Sequence, residues 1–214
     1  MRTDPVGDSP CGGIVLFLPS TEGGDSPPKG LHETWSDRMI GCLLSLLTFP
    51  GVIVHELGHL IFCRLFGVPV AKVCLFRFGN PAGYVLHAEP ENAVQHLFIS
   101  FGPFFANTVL GAAAAAPVTI PLRDIHPLLP WQYILLWLGV SIAMHAFPSK
   151  GDADSLWQGI WRGRGCCLAR LIALPFVGLI YLGALGKMVW LDVLYGIVVV
   201  IIIPKLLSAW LLIK

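Results

Sequence analysis

The chain has 214 residues, of which 55% are hydrophobic and 13% charged, with a mean hydropathy of +0.73 and a formal net charge of +1. Soluble domains carry roughly 25% charged residues, so the balance excludes an ordinary soluble domain and favours a polytopic membrane protein. The net charge says nothing about partners, but no basic cluster points to nucleic acid, and none is expected as a partner; the six cysteines show no paired-motif spacing, so no disulfide framework is expected.

Residues 1–37 are rich in Gly, Pro, Ser and Asp and read as a flexible N-terminal tail. Their apolar island, Ile14–Leu18, is too short to cross a bilayer and lacks the charged leader and cleavage site of a secretory signal. Residues 38–214 read as one membrane-embedded domain. Its first apolar run, Met39–Phe66, exceeds the ~20 residues that a span needs. Pro50-Gly51 marks a break inside it, with Thr48 placed to cap the helix that restarts there. Pro69–Phe78 and Tyr84–Ala88 flank Gly79-Asn80-Pro81-Ala82-Gly83, which predicts a β-hairpin at the membrane surface.

A second span covers about Ala93–Ile120 and contains a run of small residues, Gly111–Ala116, suited to close helix packing. A third runs from about Trp131 to Phe147 and stops at Pro148. Ser149–Arg164 is polar, with Leu156, Trp157, Ile160 and Trp161 at helical spacing, which predicts an amphipathic helix at the membrane interface. Two more spans, about Cys167–Leu185 and Val189–Leu212, complete an all-α polytopic membrane protein of about five transmembrane helices, with the hairpin following the first. The distribution of Lys and Arg places the hairpin and the 149–164 loop on the cytoplasmic side.

The chemistry lies in the first span, at His55-Glu56-Leu57-Gly58-His59. Ionisable groups inside a span are expensive and by default mark a functional site. On a helix, residues four apart share a face, so His55 and His59 can grip one Zn²⁺, and Glu56 can reach a water held on that metal. A catalytic zinc site usually takes a third protein ligand. His59 lies ~10 Å below the surface at which its span ends, counted at 1.5 Å per residue. The third span emerges on that same side, into a turn that carries Asp152 and Asp154, and either could fold back onto the metal. Glu89 and Glu91, after the hairpin, are reserve candidates.

Together, His55-Glu56-Leu57-Gly58-His59 in a spanning helix, a hairpin after it and a later aspartate beyond a Pro-terminated span resemble the site-2 protease family of intramembrane zinc metalloproteases. The resemblance covers about residues 40–155. It implies His55, His59 and Asp152 as zinc ligands and Glu56 as the catalytic acid/base. Asp152 stands where the family's Asn-Pro-(x)-Asp-Gly element places its aspartate, although here the chain has His145 for the asparagine and Gly151 before the aspartate. Gly102-Pro103-Phe104-Phe105-Ala106-Asn107 looks like the family's Gly-Pro-x-x-Asn element with one residue added, which makes Asn107 a candidate substrate-binding residue. On this reading residues 38–214 form a metalloprotease domain, a multi-pass protein of the cell membrane, although the final two spans add nothing to the resemblance. Its substrate is a transmembrane or membrane-associated protein, unwound locally and held extended along Val70–Phe78 by strand addition.

Plainer roles compete for several of these residues. Asp152 could only cap a helix, Asn107 could only bond between helices, and His145 suits a hydrogen bond at a helix end better than a zinc bond. Two other functions compete as well: a non-catalytic protein in which zinc ties helices together, and a membrane zinc protease of the prenyl-protein-processing type. The latter needs a glutamate ligand from a later helix, and no span offers one.

Overall fold

The computed structural model describes residues 35–79, 81–120, 127–162, 174–175, 177–178, 181–183 and 190–213. Most of the expected tail (1–37) and most of the expected fourth span (167–185) lie outside these residues. The described chain is mostly helical: α1 (Trp35–Leu47), α2 (Phe49–Leu65), α3 (Ala93–Thr119), α4 (Pro130–Met144), α5 (Lys150–Arg162) and α6 (Leu191–Ile213). A two-stranded antiparallel sheet, β1 (Val70–Cys74) and β2 (Tyr84–His87), sits between α2 and α3.

Two of these helices, α3 and α6, are long and apolar enough to cross a membrane, and α1 with α2 makes a third candidate, bent by 85° at its break. The break falls at Thr48, with Pro50 in the first turn of α2, where a missing N–H costs nothing. Thr48 does not cap α2 through its side chain, as the sequence suggests. Its hydroxyl donates instead to the Leu44 carbonyl (2.6 Å), closing the last turn of α1. The third expected span is shorter than its apolar run: α4 ends at Met144, and the chain leaves the helix through His145. At 1.5 Å per residue its 15 residues reach ~22 Å, less than the ~30 Å hydrocarbon core.

The helices pack where side chains are small. A Cβ on Gly111 would lie 2.8 Å from Ala143 Cβ, and one on Gly139 would lie 2.9 Å from Ala115 Cβ, so α3 and α4 cross almost backbone to backbone. Ala112, Ala115, Ala143, Val199 and Val200 form the apolar centre where α6 joins them. Phe104, Phe147 and Tyr195 stack beside this centre, and the Tyr195 hydroxyl bonds Thr108 Oγ1 (2.7 Å), tying α6 to α3. The outer faces of α3, α4 and α6 expose Val109, Leu110, Ile134, Leu194, Ile201, Leu206 and Leu207, a surface suited to lipid and not to water.

In the hairpin, Val70 faces His87, Lys72 faces Leu86, Val73 faces Val85 and Cys74 faces Tyr84, with an irregularity between Val70 and Lys72. The connecting loop turns back on itself through Arg77, whose backbone N–H donates to Ala82 O (2.7 Å) and whose Nε donates to Pro81 O (2.9 Å). Helix α5 is amphipathic. Ala153 and Leu156 are buried with Phe101 and Val177, while Trp157 and Trp161 are exposed, their rings 5.3 Å apart.

Candidate metal centre

Helix α2 carries His55, Glu56 and His59 to the centre of the helix group, and the two imidazoles lie on one face with ring centroids 5.0 Å apart. Asp152, in the first turn of α5, meets them there. His59 Nε2 is 3.3 Å from Asp152 Oδ1, and His55 Nε2 is 3.9 Å from Asp152 Oδ2. One ligand atom from each of the three lies within 4.8 Å of the others, and among the described residues this is the one such group.

Two ligand atoms ~2.0 Å from a tetrahedral ion stand ~3.3 Å apart, which is the His59–Asp152 spacing. The orientation of the rings fits as well. His55 Nδ1–H donates to the His145 carbonyl (2.7 Å), and His59 Nδ1–H donates to the Ile99 carbonyl (3.0 Å). With both Nδ1 atoms engaged as donors, both Nε2 lone pairs point toward the carboxylate, the arrangement that metal-binding histidines adopt. Two imidazoles and a carboxylate form a donor set that would suit a divalent metal such as zinc.

Asp152 owes its position to a local motif. Ser149 Oγ accepts from the Asp152 backbone N–H (3.2 Å), and Asp152 Oδ2 accepts from both the backbone N–H and the hydroxyl of Ser149 (2.7 Å each). This is a reciprocal capping box with Ser149 as the cap and Asp152 three residues on. Capping and contact with the histidines therefore coexist: Oδ1 faces His59, while Oδ2 accepts from Ser149 and also faces His55. Burial alone would raise the Asp152 carboxyl, but His59 and His55 beside it outweigh that and hold it well below the usual carboxylate range. Asp154 faces elsewhere and accepts from the Tyr181 hydroxyl (2.7 Å). Glu89 and Glu91 are exposed and do not join the group.

A cavity of about 570 Å³ opens beside the triad, with His55, Glu56, His59 and Asp152 on one wall and Gly83 and His87 of the hairpin on another. Glu56 is 8% exposed, and the hairpin loop rests directly on it. A Cβ on Gly83 would lie 2.7 Å from Glu56 Cγ, so only glycine lets the loop sit so close. His145 also lines the cavity, and its Nδ1–H donates to the Ser141 carbonyl (3.0 Å), a helix-end bond.

The structure does not bring Asn107 to this cavity. Asn107 is fully buried where α2, α3 and α4 meet, and its Nδ2 donates to the Gly51 (3.1 Å) and Ile142 (2.9 Å) carbonyls. Its place is that of an interhelical clamp that holds α2 at the height of the triad. Sequence reasoning missed Ser149, Gly83 and the two carbonyls that orient the imidazoles. Ser149-x-x-Asp152 is legible as a capping box, whereas the carbonyl acceptors leave no mark in their own residue types. No protein-family profile, curated protein or solved structure matches this chain.

Proposed function

We propose that this chain is a zinc-dependent intramembrane endopeptidase of the site-2 protease kind, multi-pass in the cell membrane, that hydrolyses peptide bonds of transmembrane or membrane-adjacent protein segments. The observation that carries this reading is the meeting of His55, His59 and Asp152 beside a cavity that also holds Glu56, on helices of lipid-suited surface. The full architecture on this reading has about five spans, with 167–185 as the fourth and the hairpin at the membrane surface.

His55, His59 and Asp152 would hold the ion. Zinc, when bound, supplies Lewis acidity that polarises a carbonyl and makes water a nucleophile near neutral pH. Glu56 accepts a proton from the water that attacks the substrate carbonyl and returns it to the departing amide nitrogen, so that one peptide bond becomes a carboxylic acid and an amine. Partial burial of Glu56 beneath Gly83 keeps bulk water away from that carboxylate. Among the described residues strand β1 pairs only with β2, and on this reading its other edge would take an extended substrate segment.

The test pairs zinc content with cleavage of a tethered transmembrane reporter. Wild type should bind one zinc per chain and cleave. Glu56→Gln should keep the zinc and lose ~10²–10⁴-fold in cleavage, the usual worth of a general base. Equal cleavage by the two proteins would refute the protease reading. Zinc retention after His55→Ala would refute the ligand set.

A further inference from the structure

Pro103 lies in the middle of α3, and nothing in the proposed chemistry calls for a proline there. An interior proline has no N–H to give to the carbonyl four residues back, and its ring pushes that carbonyl aside. Four residues before Pro103 is Ile99, whose carbonyl accepts the His59 Nδ1–H at 3.0 Å. Ile99 is 2% exposed and His59 is 7% exposed, so water has little access to either group.

The packing around the proline sets the height of His59. A Cβ on Gly58 would lie 2.7 Å from Pro103 Cα and 2.9 Å from its nitrogen, so α2 rests directly on the proline backbone one residue before His59. A Cβ on Gly102 would lie 2.5 Å from the Phe62 ring, one turn along the same contact. The two helices thus meet where the helical ladder of α3 is interrupted, and the imidazole supplies the hydrogen that the proline lacks. His55 is served by a related device. Its acceptor, the His145 carbonyl, belongs to the C-cap residue of α4.

We propose that Pro103 is a positioning residue of the metal centre: by withholding an N–H from the Ile99 carbonyl, it leaves that oxygen to take the His59 Nδ1–H and so holds His59 in the tautomer whose Nε2 lone pair faces Asp152 and His55. The proposal rests on the reading of the triad as a metal site. Pro117, also inside α3, is the internal control, because the carbonyl four residues before it belongs to the exposed Ala113 and serves no imidazole of the triad.

The experiment uses the full chain in detergent or nanodiscs, with zinc affinity read by competition against a chelator. Pro103→Ala restores the N–H and should weaken zinc binding ~10–100-fold, the usual effect of losing the orienting partner of a ligand histidine. Pro117→Ala should leave the affinity unchanged. Incorporating the α-hydroxy analogue of alanine at position 103 removes the N–H again without restoring the ring, and should return the affinity to the wild-type value. In metal-free protein, ¹⁵N-histidine NMR should show His59 as the Nδ1–H tautomer in wild type and as a mixture in Pro103→Ala. Wild-type affinity and tautomer in Pro103→Ala, or no rescue by the hydroxy acid, would overturn the proposal. If Pro103→Ala fails to fold, the hydroxy-acid variant decides alone: wild-type affinity supports the proposal and a ten-fold loss overturns it. If wild type binds no zinc, the metal reading fails by itself, and the metal-free tautomer comparison still decides the role of Pro103.

Discussion

The histidine half and the aspartate half of the triad are held by opposite means. His55 and His59 sit on a helix pressed backbone to backbone against its neighbours, through Gly51 on Ser141 and Gly58 on Pro103, and their rings are fixed by carbonyls 90 and 40 residues away. Asp152 is fixed by a residue three positions earlier, and its helix packs through Ala153 and Leu156 against Phe101 and Val177. One half is tertiary packing between helices, and the other is a local cap within one chain segment.

The contrast can be broken most severely from the packed side. Gly58→Val places side-chain atoms where Cβ alone already meets the Pro103 backbone at 2.7 Å, and should cost about 3 kcal/mol or more together with zinc binding, read as lost thermal stability in detergent and lost bound metal. On the other side, Asp152→Ala should lower zinc affinity at least ~100-fold and cost less stability than Gly58→Val, ~1 kcal/mol for half a capping box together with the lost contact to the histidines. Equal losses of stability in these two variants would erase the distinction. Ser149→Ala sharpens it further, because Ser149 touches the carboxylate and no other member of the triad. We expect ~1 kcal/mol of lost stability and a ~10-fold weaker affinity for zinc, with the same zinc stoichiometry.

Acidification gives the mildest test. Metal needs neutral imidazoles and an ionised carboxylate. Asp152 is held well below the usual carboxylate range by the histidines, so lowering the pH from 8 toward 5 leaves it ionised while protons compete for the imidazoles. Bound zinc should therefore fall progressively over that window. In metal-free protein the depressed Asp152 stabilises the fold above the ordinary carboxylate range, and that contribution is lost only as pH falls through its lowered value.

Much of this was legible in the residues. The His-Glu-x-x-His spacing marked the floor of the site because a helix repeats in a known way, and long apolar runs announced α3, which has no charged residue, and α6, which has only Asp192 and Lys205. The hairpin was legible from its turn residues and β-branched flanks. Where the sequence left alternatives, the deciding physics was of longer range. Asp152 and Asp154 differ by two residues, which on a helix points them to different faces, and the cap at Ser149 sets which face meets the histidines. The 85° elbow at Thr48 depends on how α2 seats against α3 and α4, which no local preference encodes. Asn107 illustrates the limit of motif likeness. It falls near the expected place in the chain, yet its side chain turns to the carbonyls of Gly51 and Ile142 and away from the cavity.

The shared carboxylate of Asp152 links two equilibria. Because the same side chain closes the first turn of α5 and faces the histidines, whatever binds the triad also tightens that turn, and whatever frays the turn loosens the bound ion, in equal and reciprocal measure. Trp157 and Trp161 ride on the same helix, with their indoles on the outside. If the triad holds a metal as proposed, stripping it with a chelator should change the emission of that indole pair before any substrate is added.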